Sequence, residues 1–456
     1  MSPQRLRGSR YQTVDRSDRA PIERLSPMDL TVLATDRGSV PMNIGAVLEF
    51  DPHNAPSMAG VHALFSERLP AIPRLRQRLR RAPLGCGRPV WVDDVAFDLD
   101  RHLIARRWPE PESSRELLDV AAELVCDRLD DRRPLWRACI VTGSAGNRAA
   151  LVLVFHHVLA DGLGGLAVLA TLADPGPQHS NDDFPRRAPR WDELAIDAAR
   201  QRANAARGLF GGLRRAAAGI RELGIRPTGP RLVEKTFLNR PTSARRRLDR
   251  VAVSLADVVA VGHRTGGTVN DIVLAAVTGA LFKVLADRGE HPTQLVVSVP
   301  VSGRRSTTTD RLGNDTGVRP IAVPALADDH MRLAKIITMT RSSAALQRAS
   351  SAVPLGLAFR GLSRLGLFRL FVEHQRLVHT FETNLRGPVE PVFLGGHPIR
   401  GIIPAAINPG NVGVSFDVLS YAGVLAVTIV SDPEIVTEPE TLAGALNDVF
   451  ASLLDG

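Results

Sequence analysis

The chain has 456 residues, of which 44% are hydrophobic and 23% are charged, a composition typical of a globular protein with sizeable buried cores. Its formal net charge of +9 favours anionic partners such as a phosphate group or an acidic lipid surface. Only two Tyr and four Trp are present to stack on bases, and no nucleic-acid-binding motif is recognisable, so no nucleic-acid partner is expected. Cys86, Cys126 and Cys139 are too few and too scattered for a disulfide framework or a zinc site.

The N-terminal region predicts a tail followed by a short helix. Residues 1–24 are polar, rich in Arg and aperiodic, which predicts disorder. Ser26 and Pro27 then suit the N-cap and first position of a helix. Neither a signal-peptide core nor an apolar run approaching the ~18 residues of a spanning helix is visible. We therefore expect a cytoplasmic protein whose contact with a membrane or lipid droplet is peripheral.

One stretch combines a predicted buried strand with polar residues at its end. Residues 149–155 are small, apolar or β-branched and predict the strand. Residues 138–142 are expected to form a second strand that pairs with it as a hairpin. His156 and His157 follow, and Asp161 comes four residues after the second His, followed at once by Gly and an apolar run that favours a helix. A His at a strand end can direct its imidazole into a cleft, and an unperturbed pKa near ~6.5 suits a general base. The alternative is a pair of ordinary core histidines, which the tight spacing disfavours.

The spacing of His156, His157, Asp161 and Gly162 matches HHxxxDG, the motif of CoA-dependent acyltransferases and peptide-synthetase condensation domains. From about Leu25 to the C-terminus the chain resembles the bacterial wax ester synthase/diacylglycerol acyltransferase family. The other stretches that carry the resemblance are SPMD at 26–29, PMNIG at 41–45, LDDRRPLW at 129–136, TVNDIVLAAV at 268–277, GNDTG at 313–317, NLRGP at 384–388 and LSYAG at 419–423.

The resemblance implies an α/β fold with two chloramphenicol-acetyltransferase-like lobes, mixed β-sheets and a central channel. A stretch rich in Pro, Asp, Asn and Ser marks the boundary between the lobes. We expect a disordered basic tail at 1–24, an N-terminal lobe with the HHxxxDG motif at 25–173, a linker and bridging helical segment at 174–235, and a C-terminal lobe at 236–456.

The resemblance also implies acyl-CoA-dependent O-acylation of diacylglycerol or a long-chain alcohol, which would yield triacylglycerol or wax esters. His157 would act as the general base in direct transfer, and His156, Asp161 and Gly162 would support the motif. The acceptor would be a hydrophobic alcohol or diacylglycerol. Acyl-CoA would be the acyl-donor substrate, and no bound cofactor or metal is expected.

Two residues of the second half are expected to join this site. Asn270 and Asp271 match the family's ND motif at the start of a predicted helix that Thr268 can cap. The resemblance places Asn270 near His157, where it could polarise the thioester carbonyl. Asp271 is expected to matter more for folding or helix capping.

Two other functions remain open on the sequence. The same His could serve an acyltransferase for another lipid or a polyketide-type alcohol. A protein of a different class, a non-catalytic lipid-binding protein with the same fold, would not need to keep His157, Asp161 and Gly162.

The segment 354–372 has two competing interpretations. Its Leu and Phe content fits a core helix, whereas its three Arg residues also suit a membrane interface, where guanidinium groups reach lipid phosphates. For the second case we expect Leu362, Leu365 and Phe368 to insert into lipid. The basic stretch 191–226 could assist them.

Overall fold

The protein, represented by a computed structural model, contains two six-stranded β-sheets with helices packed on them. The structure describes residues 22–144, 148–177, 183–207, 232–302, 308, 312–314, 316–343, 352–407 and 410–455. In those residues the strands are β1 (Asn43–Phe50), β2 (Gln77–Arg80), β3 (Val90–Asp93), β4 (Leu103–Arg107), β5 (Trp136–Thr142), β6 (Ala149–His156), β7 (Arg247–Ser254), β8 (Gln294–Ser302), β9 (Thr316–Pro324), β10 (Thr380–Arg386), β11 (Phe393–Leu394), β12 (His397–Ala406), β13 (Val414–Tyr421) and β14 (Val424–Ser431). The α-helices there are α1 (Pro27–Thr35), α2 (Met58–Arg68), α3 (Ser114–Cys126), α4 (Gly162–Leu172), α5 (Trp191–Arg207), α6 (Leu255–Thr265), α7 (Val269–Asp287), α8 (Asp329–Ser343), α9 (Ala352–Arg364), α10 (Phe368–Glu373) and α11 (Pro439–Asp455).

The first sheet has the spatial order β11-β12-β1-β6-β5-β4, in which β4 and β5 are parallel and the other neighbours antiparallel. β6 lies between β1 and β5 and is buried along its whole length, as expected for an uninterrupted apolar strand. The predicted strand before His157 and its hairpin partner are confirmed. Trp136 fixes the start of β5, because its indole N–H donates to the Leu75 carbonyl at 2.7 Å and its ring stacks on His102.

The second sheet has the order β7-β14-β13-β10-β8-β9, with β10 parallel to both β8 and β13 and the other pairs antiparallel. The predicted α/β class with mixed sheets is therefore confirmed. α7 contributes much of the apolar core on this sheet, and α8 and α11 pack against it. Among the described helices, α7 is long and apolar enough to span a membrane. However, 72% of its apolar stretch is buried within the protein.

Strands β11 and β12 come from the second half of the chain but complete the first sheet. β12 pairs with β1 in antiparallel register, for example Val47 with Ile403. The second half thus contributes strands to both sheets, and the lobe boundaries drawn from the sequence stay a prediction.

Ordered structure begins before Leu25. The Arg24 side chain is only 2% exposed and forms an ion pair with Asp197 at 2.5 Å. Its remaining N–H groups donate to the carbonyls of Cys86, Arg88 and Leu194. A guanidinium with this many partners can be buried at little cost, which the composition of the tail does not reveal. Residues 1–21 of the predicted tail lie outside the described residues.

Part of the predicted linker packs on the first half of the chain. Arg186 donates to the Asp93 carboxylate at the end of β3 through both its backbone N–H and its guanidinium group, each at 2.8 Å. α5 then provides the observed part of the bridging helical segment. Residues 178–182 and 208–231 lie outside the described residues.

Candidate active site

His157 lies just beyond β6, and neighbouring elements fix its backbone on both sides. Its amide N–H donates to the Met42 carbonyl at 2.7 Å, and its carbonyl accepts a hydrogen bond from the Asn314 side chain at 2.7 Å. Its side chain is partly buried, and no group of the described residues forms a hydrogen bond with Nδ1. Burial lowers the pKa of His157 below its usual value, although Asp161 and Asn314 oppose the shift. The imidazole is therefore neutral at neutral pH and can accept a proton.

His156 is buried and its ring is held by the protein. Nδ1 accepts a hydrogen bond from the Val158 backbone N–H at 3.0 Å, and Nε2 lies 3.2 Å from a carboxylate oxygen of Asp36. These contacts assign the proton to Nε2, which donates to Asp36. The geometry supports a role for His156 in holding the turn after β6.

Asp161 and Gly162 form the start of α4. Asp161 is the N-cap, and its carboxylate accepts a hydrogen bond from the Gly164 backbone N–H at 2.9 Å. A Cβ atom on Gly162 would lie 2.6 Å from Cδ1 of Leu385. Glycine therefore lets β10 approach the first turn of α4 closely, and this contact brings the second sheet to the HHxxxDG motif.

Sequence reasoning missed the pair formed by Asp29 and Asn314. Oδ1 of Asp29 accepts from the backbone N–H and the side-chain Nδ2 of Asn314, both at 2.9 Å, and the same Nδ2 reaches the carbonyl of His157. The other oxygen of Asp29 accepts from the Ser26 backbone N–H at 2.9 Å and completes a capping box on α1. The SPMD and GNDTG stretches thus meet on the HHxxxDG loop. In the sequence Asp29 signals only a helix cap, because its partner Asn314 is 285 positions away.

Asn270 and Asp271 have different surroundings. Asp271 forms a capping box with Thr268 and accepts a hydrogen bond from the Thr340 hydroxyl at 2.8 Å. Asn270 accepts from Nδ2 of Asn384 at 3.3 Å. Asn384 and Leu385 are consecutive residues of β10, so neighbouring positions of one strand contact the first turns of α7 and of α4.

Two buried carboxyl groups lie next to these contacts. Glu382 on β10 is fully buried, and neither of its carboxyl oxygens has a hydrogen-bond partner in the described part of the chain. Burial, with a smaller contribution from the charge of Asp417, raises the pKa of Glu382 to about 8. Burial also raises the pKa of Asp417 to about 6, although this carboxyl accepts hydrogen bonds from the Ala406 N–H at 2.6 Å and the Thr383 hydroxyl at 3.0 Å. No local sequence signal distinguishes Glu382 from a surface Glu.

Two domain models of one protein family match the chain. Residues 25–273 match the wax ester synthase/diacylglycerol acyltransferase catalytic domain, and residues 313–454 match the WS/DGAT C-terminal domain. The chain is 30% identical over 413 residues to the protein of Mycobacterium tuberculosis strain H37Rv named "Probable diacylglycerol O-acyltransferase tgs1", with 88% of this chain and 89% of that protein covered.

Solved structures show the same fold. The wax ester synthase/diacylglycerol acyltransferase from Marinobacter aquaeolei VT8 superposes with a TM-score of 0.67 at 20% identity, covering 94% of this chain and 98% of that chain. The starter condensation domain of rhizomide synthetase, in complex with C8-CoA, gives 0.62 at 13% identity, covering 95% and 94%. On the two domain matches and the relatives that cover nearly its whole length, the chain belongs to the wax ester synthase/diacylglycerol acyltransferase family and is an O-acyltransferase of that family.

Proposed function

We propose that this chain transfers an acyl group from acyl-CoA to the hydroxyl of diacylglycerol or a long-chain alcohol, with His157 as the general base. The observation that carries the proposal is the His157 imidazole at the end of β6. Its backbone is held by Met42 and Asn314, and burial keeps its ring neutral at neutral pH.

In the proposed reaction His157 takes the proton of the acceptor hydroxyl as that oxygen attacks the thioester carbonyl carbon. The C–S bond of the tetrahedral intermediate then breaks, and the imidazolium returns the proton to the departing CoA sulfur. No nucleophile of the enzyme is needed, so donor and acceptor are bound at the same time. Positioning of both substrates beside one base supplies a large part of the rate.

A base alone does not stabilise the oxyanion of the intermediate, so a donor must reach the thioester oxygen. The side-chain oxygen of Asn270 accepts a hydrogen bond from Asn384. Within the described residues the side-chain NH₂ group of Asn270 has no hydrogen-bond partner. We assign this group to the thioester carbonyl. Asp271 supports the assignment indirectly, because its capping box fixes the turn that carries Asn270.

Different observations support the proposed donor and the proposed acceptor. Acyl-CoA as donor is supported by the condensation domain of the same fold that was solved with C8-CoA, and by the net charge of +9, which favours the CoA phosphates. Diacylglycerol or a long-chain alcohol as acceptor is supported by the names of the matching domains and of the M. tuberculosis relative.

We also propose that α9 and α10 form the contact with a membrane or lipid droplet. Four leucines here have large exposed fractions, namely Leu357 at 58%, Leu365 at 72%, Leu367 at 46% and Leu370 at 60%. Arg364 and Arg369 are exposed beside them, although Arg369 also pairs with Glu373 at 2.7 Å. An apolar surface flanked by guanidinium groups suits an anionic lipid interface.

The opposite side of α9 packs on α1. Arg360 donates to the Pro27 carbonyl at 2.6 Å, and Ser363 donates to the Ala34 carbonyl at 2.7 Å. α1 also carries Asp29, so the proposed lipid contact rests on the helix that holds Asn314 against His157.

The set of inserting residues expected from the sequence needs correction. Phe368 is only 4% exposed, because its ring packs against Phe359 and Phe371 under the surface, and Leu362 is half-buried. Only Leu365 of the three expected residues is well exposed. Gly366, at φ +72°, follows the end of α9 and changes the direction of the chain before α10, so Phe368 does not continue the face of α9.

Replacement of the base tests the chemistry. With palmitoyl-CoA and a panel of alcohols and diacylglycerol, His157→Ala should lower kcat by a factor on the order of 10² to 10⁴ without changing the melting temperature greatly. His330→Ala, which removes an exposed imidazole on α8, is the matched control and should keep wild-type rates. Because the pKa of His157 is lowered, the acidic limb of the kcat/KM profile should lie below pH ~6.5. Near wild-type turnover by a folded His157→Ala enzyme would exclude this mechanism.

Flotation on liposomes tests the lipid contact. The double substitution of Leu365 and Leu370 by Ser should weaken binding to vesicles of anionic lipid, and added salt should weaken the binding of the wild type. Leu84→Ser removes a fully exposed leucine on a different loop and is the control. Equal flotation of all three proteins would show that α9 and α10 do not contact the lipid.

A further inference from the structure

Glu382 is a carboxyl group in the core of the second sheet, and the mechanism proposed above does not use it. Its side chain is fully buried on β10, and no group of the described residues forms a hydrogen bond with either carboxyl oxygen. Its register partner on β13 is Phe416, which is also fully buried. β8, the neighbouring strand on the other side, has no ionisable residue. The carboxyl group therefore lies in apolar surroundings that do not stabilise a negative charge.

The position of Glu382 on β10 connects it to the candidate active site. Side chains of a strand alternate between its two faces, so Glu382 and Asn384 lie on the same face of β10. Nδ2 of Asn384 donates to the side-chain oxygen of Asn270 at 3.3 Å, which places the first turn of α7 on that face. The residue between them, Thr383, lies on the other face, where its hydroxyl donates to Asp417 at 3.0 Å. Glu382 is thus the next residue on the face of β10 that contacts Asn270.

The charged groups around Glu382 do not supply a counter-charge for it. Those on its own strand, on the other strands beside it and on α7 are Arg386 on β10, Asp417 on β13, Arg319 on β9, and Asp271, Lys283 and Asp287 on α7. Of these, only the charge of Asp417 contributes to the pKa of Glu382, and it raises that pKa further. Asp271 is acidic as well, and the charge of Arg319 interacts with Asp271. The remaining three lie at exposed positions.

Loss of the Glu382 proton is therefore incompatible with the packing that surrounds it. Burial raises the pKa of this carboxyl group to about 8, so it is neutral near pH 7 and ionises above about pH 8. A carboxylate without donors is too unfavourable to remain in an apolar core, so β10 or the first turn of α7 must move until water or N–H groups reach the charge. Either movement separates Asn384 from Asn270.

We infer that Glu382 is a positioning residue that limits the activity at alkaline pH. Its neutral carboxyl group allows β10 to pack against the start of α7, and loss of its proton moves Asn270 away from the thioester. The inference rests on the proposed function, in particular on the role assigned to Asn270. Glu382 touches no substrate and acts only through Asn384 and Asn270.

The pH dependence of kcat tests the inference. With saturating palmitoyl-CoA and hexadecanol, and with uncatalysed thioester hydrolysis subtracted, kcat of the wild type should fall about tenfold between pH 7 and pH 9, because the neutral fraction of Glu382 falls by that factor. Glu382→Gln stays neutral, so its kcat should change by less than about twofold over this interval. Glu382→Leu, which suits the apolar surroundings, is a second variant and should show the same flat profile. Glu67→Gln, at an exposed position of α2, is the matched control and should fall as the wild type does.

Hydrogen exchange followed by mass spectrometry tests the displacement without turnover. At pH 9 the peptide 268–276, which covers the start of α7, should exchange faster in the wild type than in Glu382→Gln. At pH 6.5 the two proteins should exchange this peptide at the same rate. Helix α3 in the first half of the chain is the internal reference and should exchange equally in both proteins at either pH.

An alkaline fall of the same size in the wild type and in both folded variants would overturn the inference. Equal exchange of peptide 268–276 in wild type and Glu382→Gln at pH 9 would also overturn it. Either result leaves the proposed function intact, because the acidic limb of the profile belongs to His157. Conversely, a fully active His157→Ala enzyme would disprove the proposed base, and the alkaline limb and the exchange rates would still decide the role of Glu382.

Discussion

Replacing Glu382 by Gln should remove most of a pH-dependent loss of stability. The carboxyl of Glu382 is fully buried, and burial raises its pKa from 4.5 to about 8. Between these two values the native state holds a proton that the unfolded chain has released. The free energy of unfolding therefore falls as pH rises from about 4.5 to about 8, and then levels off.

The magnitude follows from the size of the shift. Each pKa unit corresponds to about 1.4 kcal/mol. Between pH 5.5 and pH 8 the native state binds one more proton at Glu382 than the unfolded chain over roughly two pH units. The wild type should therefore lose about 3 kcal/mol of stability from this group over that interval. Glutamine has nearly the same shape and cannot ionise, so the stability of the variant relative to the wild type should be about 3 kcal/mol greater at pH 8 than at pH 5.5.

Urea unfolding followed by tryptophan fluorescence measures the effect. The difference between the urea midpoints of wild type and Glu382→Gln should be larger at pH 8 than at pH 5.5, with an unchanged slope on urea. Glu67→Gln, at an exposed position of α2, is the control and should follow the wild type at both pH values. Asp417→Asn should act over a lower interval, because the pKa of Asp417 is raised only to about 6. Parallel curves for wild type and Glu382→Gln would refute the assignment of a protonated buried Glu382.

Further substitutions separate positioning from folding. Asn270→Ala should reduce kcat by tenfold or more with little change in melting temperature, whereas Asp271→Ala should lower stability by about 1–2 kcal/mol because the capping box of α7 is lost. The idea fails if Asn270→Ala lowers only the melting temperature. Asn314→Ala should lower kcat more than it raises KM, because it removes the Nδ2 donor shared by the His157 carbonyl and Asp29. Asn314→Asp should not rescue activity, because it lacks the same donor. Steady-state kinetics and thermal melts of each variant check both statements, and an unchanged kcat for Asn314→Ala would contradict the second.

The sequence determined the features that depend on near neighbours along the chain. The unbroken apolar run at 149–155 predicted a buried strand, and the structure has it as the fully buried β6. Ser26 and Thr268 precede helices because their hydroxyl groups accept from backbone N–H groups three residues later, and both caps are observed. β14 spans residues 424–431, an apolar pattern that ends at turn residues on both sides. The resemblance in the HHxxxDG stretch indicated the acyltransferase family, which the domain matches show.

Only the tertiary structure decided which distant residues meet and which charges lose contact with water. The contact between Asn314 and Asp29 and the contact between Gly162 and Leu385 both join segments from opposite halves of the chain. No local preference encodes them, because they depend on the packing of two sheets and on the return of β12 to the first sheet. The burial of Phe368 and the raised pKa of Glu382 have the same origin. A side chain's exposure and ionisation are set by the elements packed around it, and those elements come from far away in the sequence.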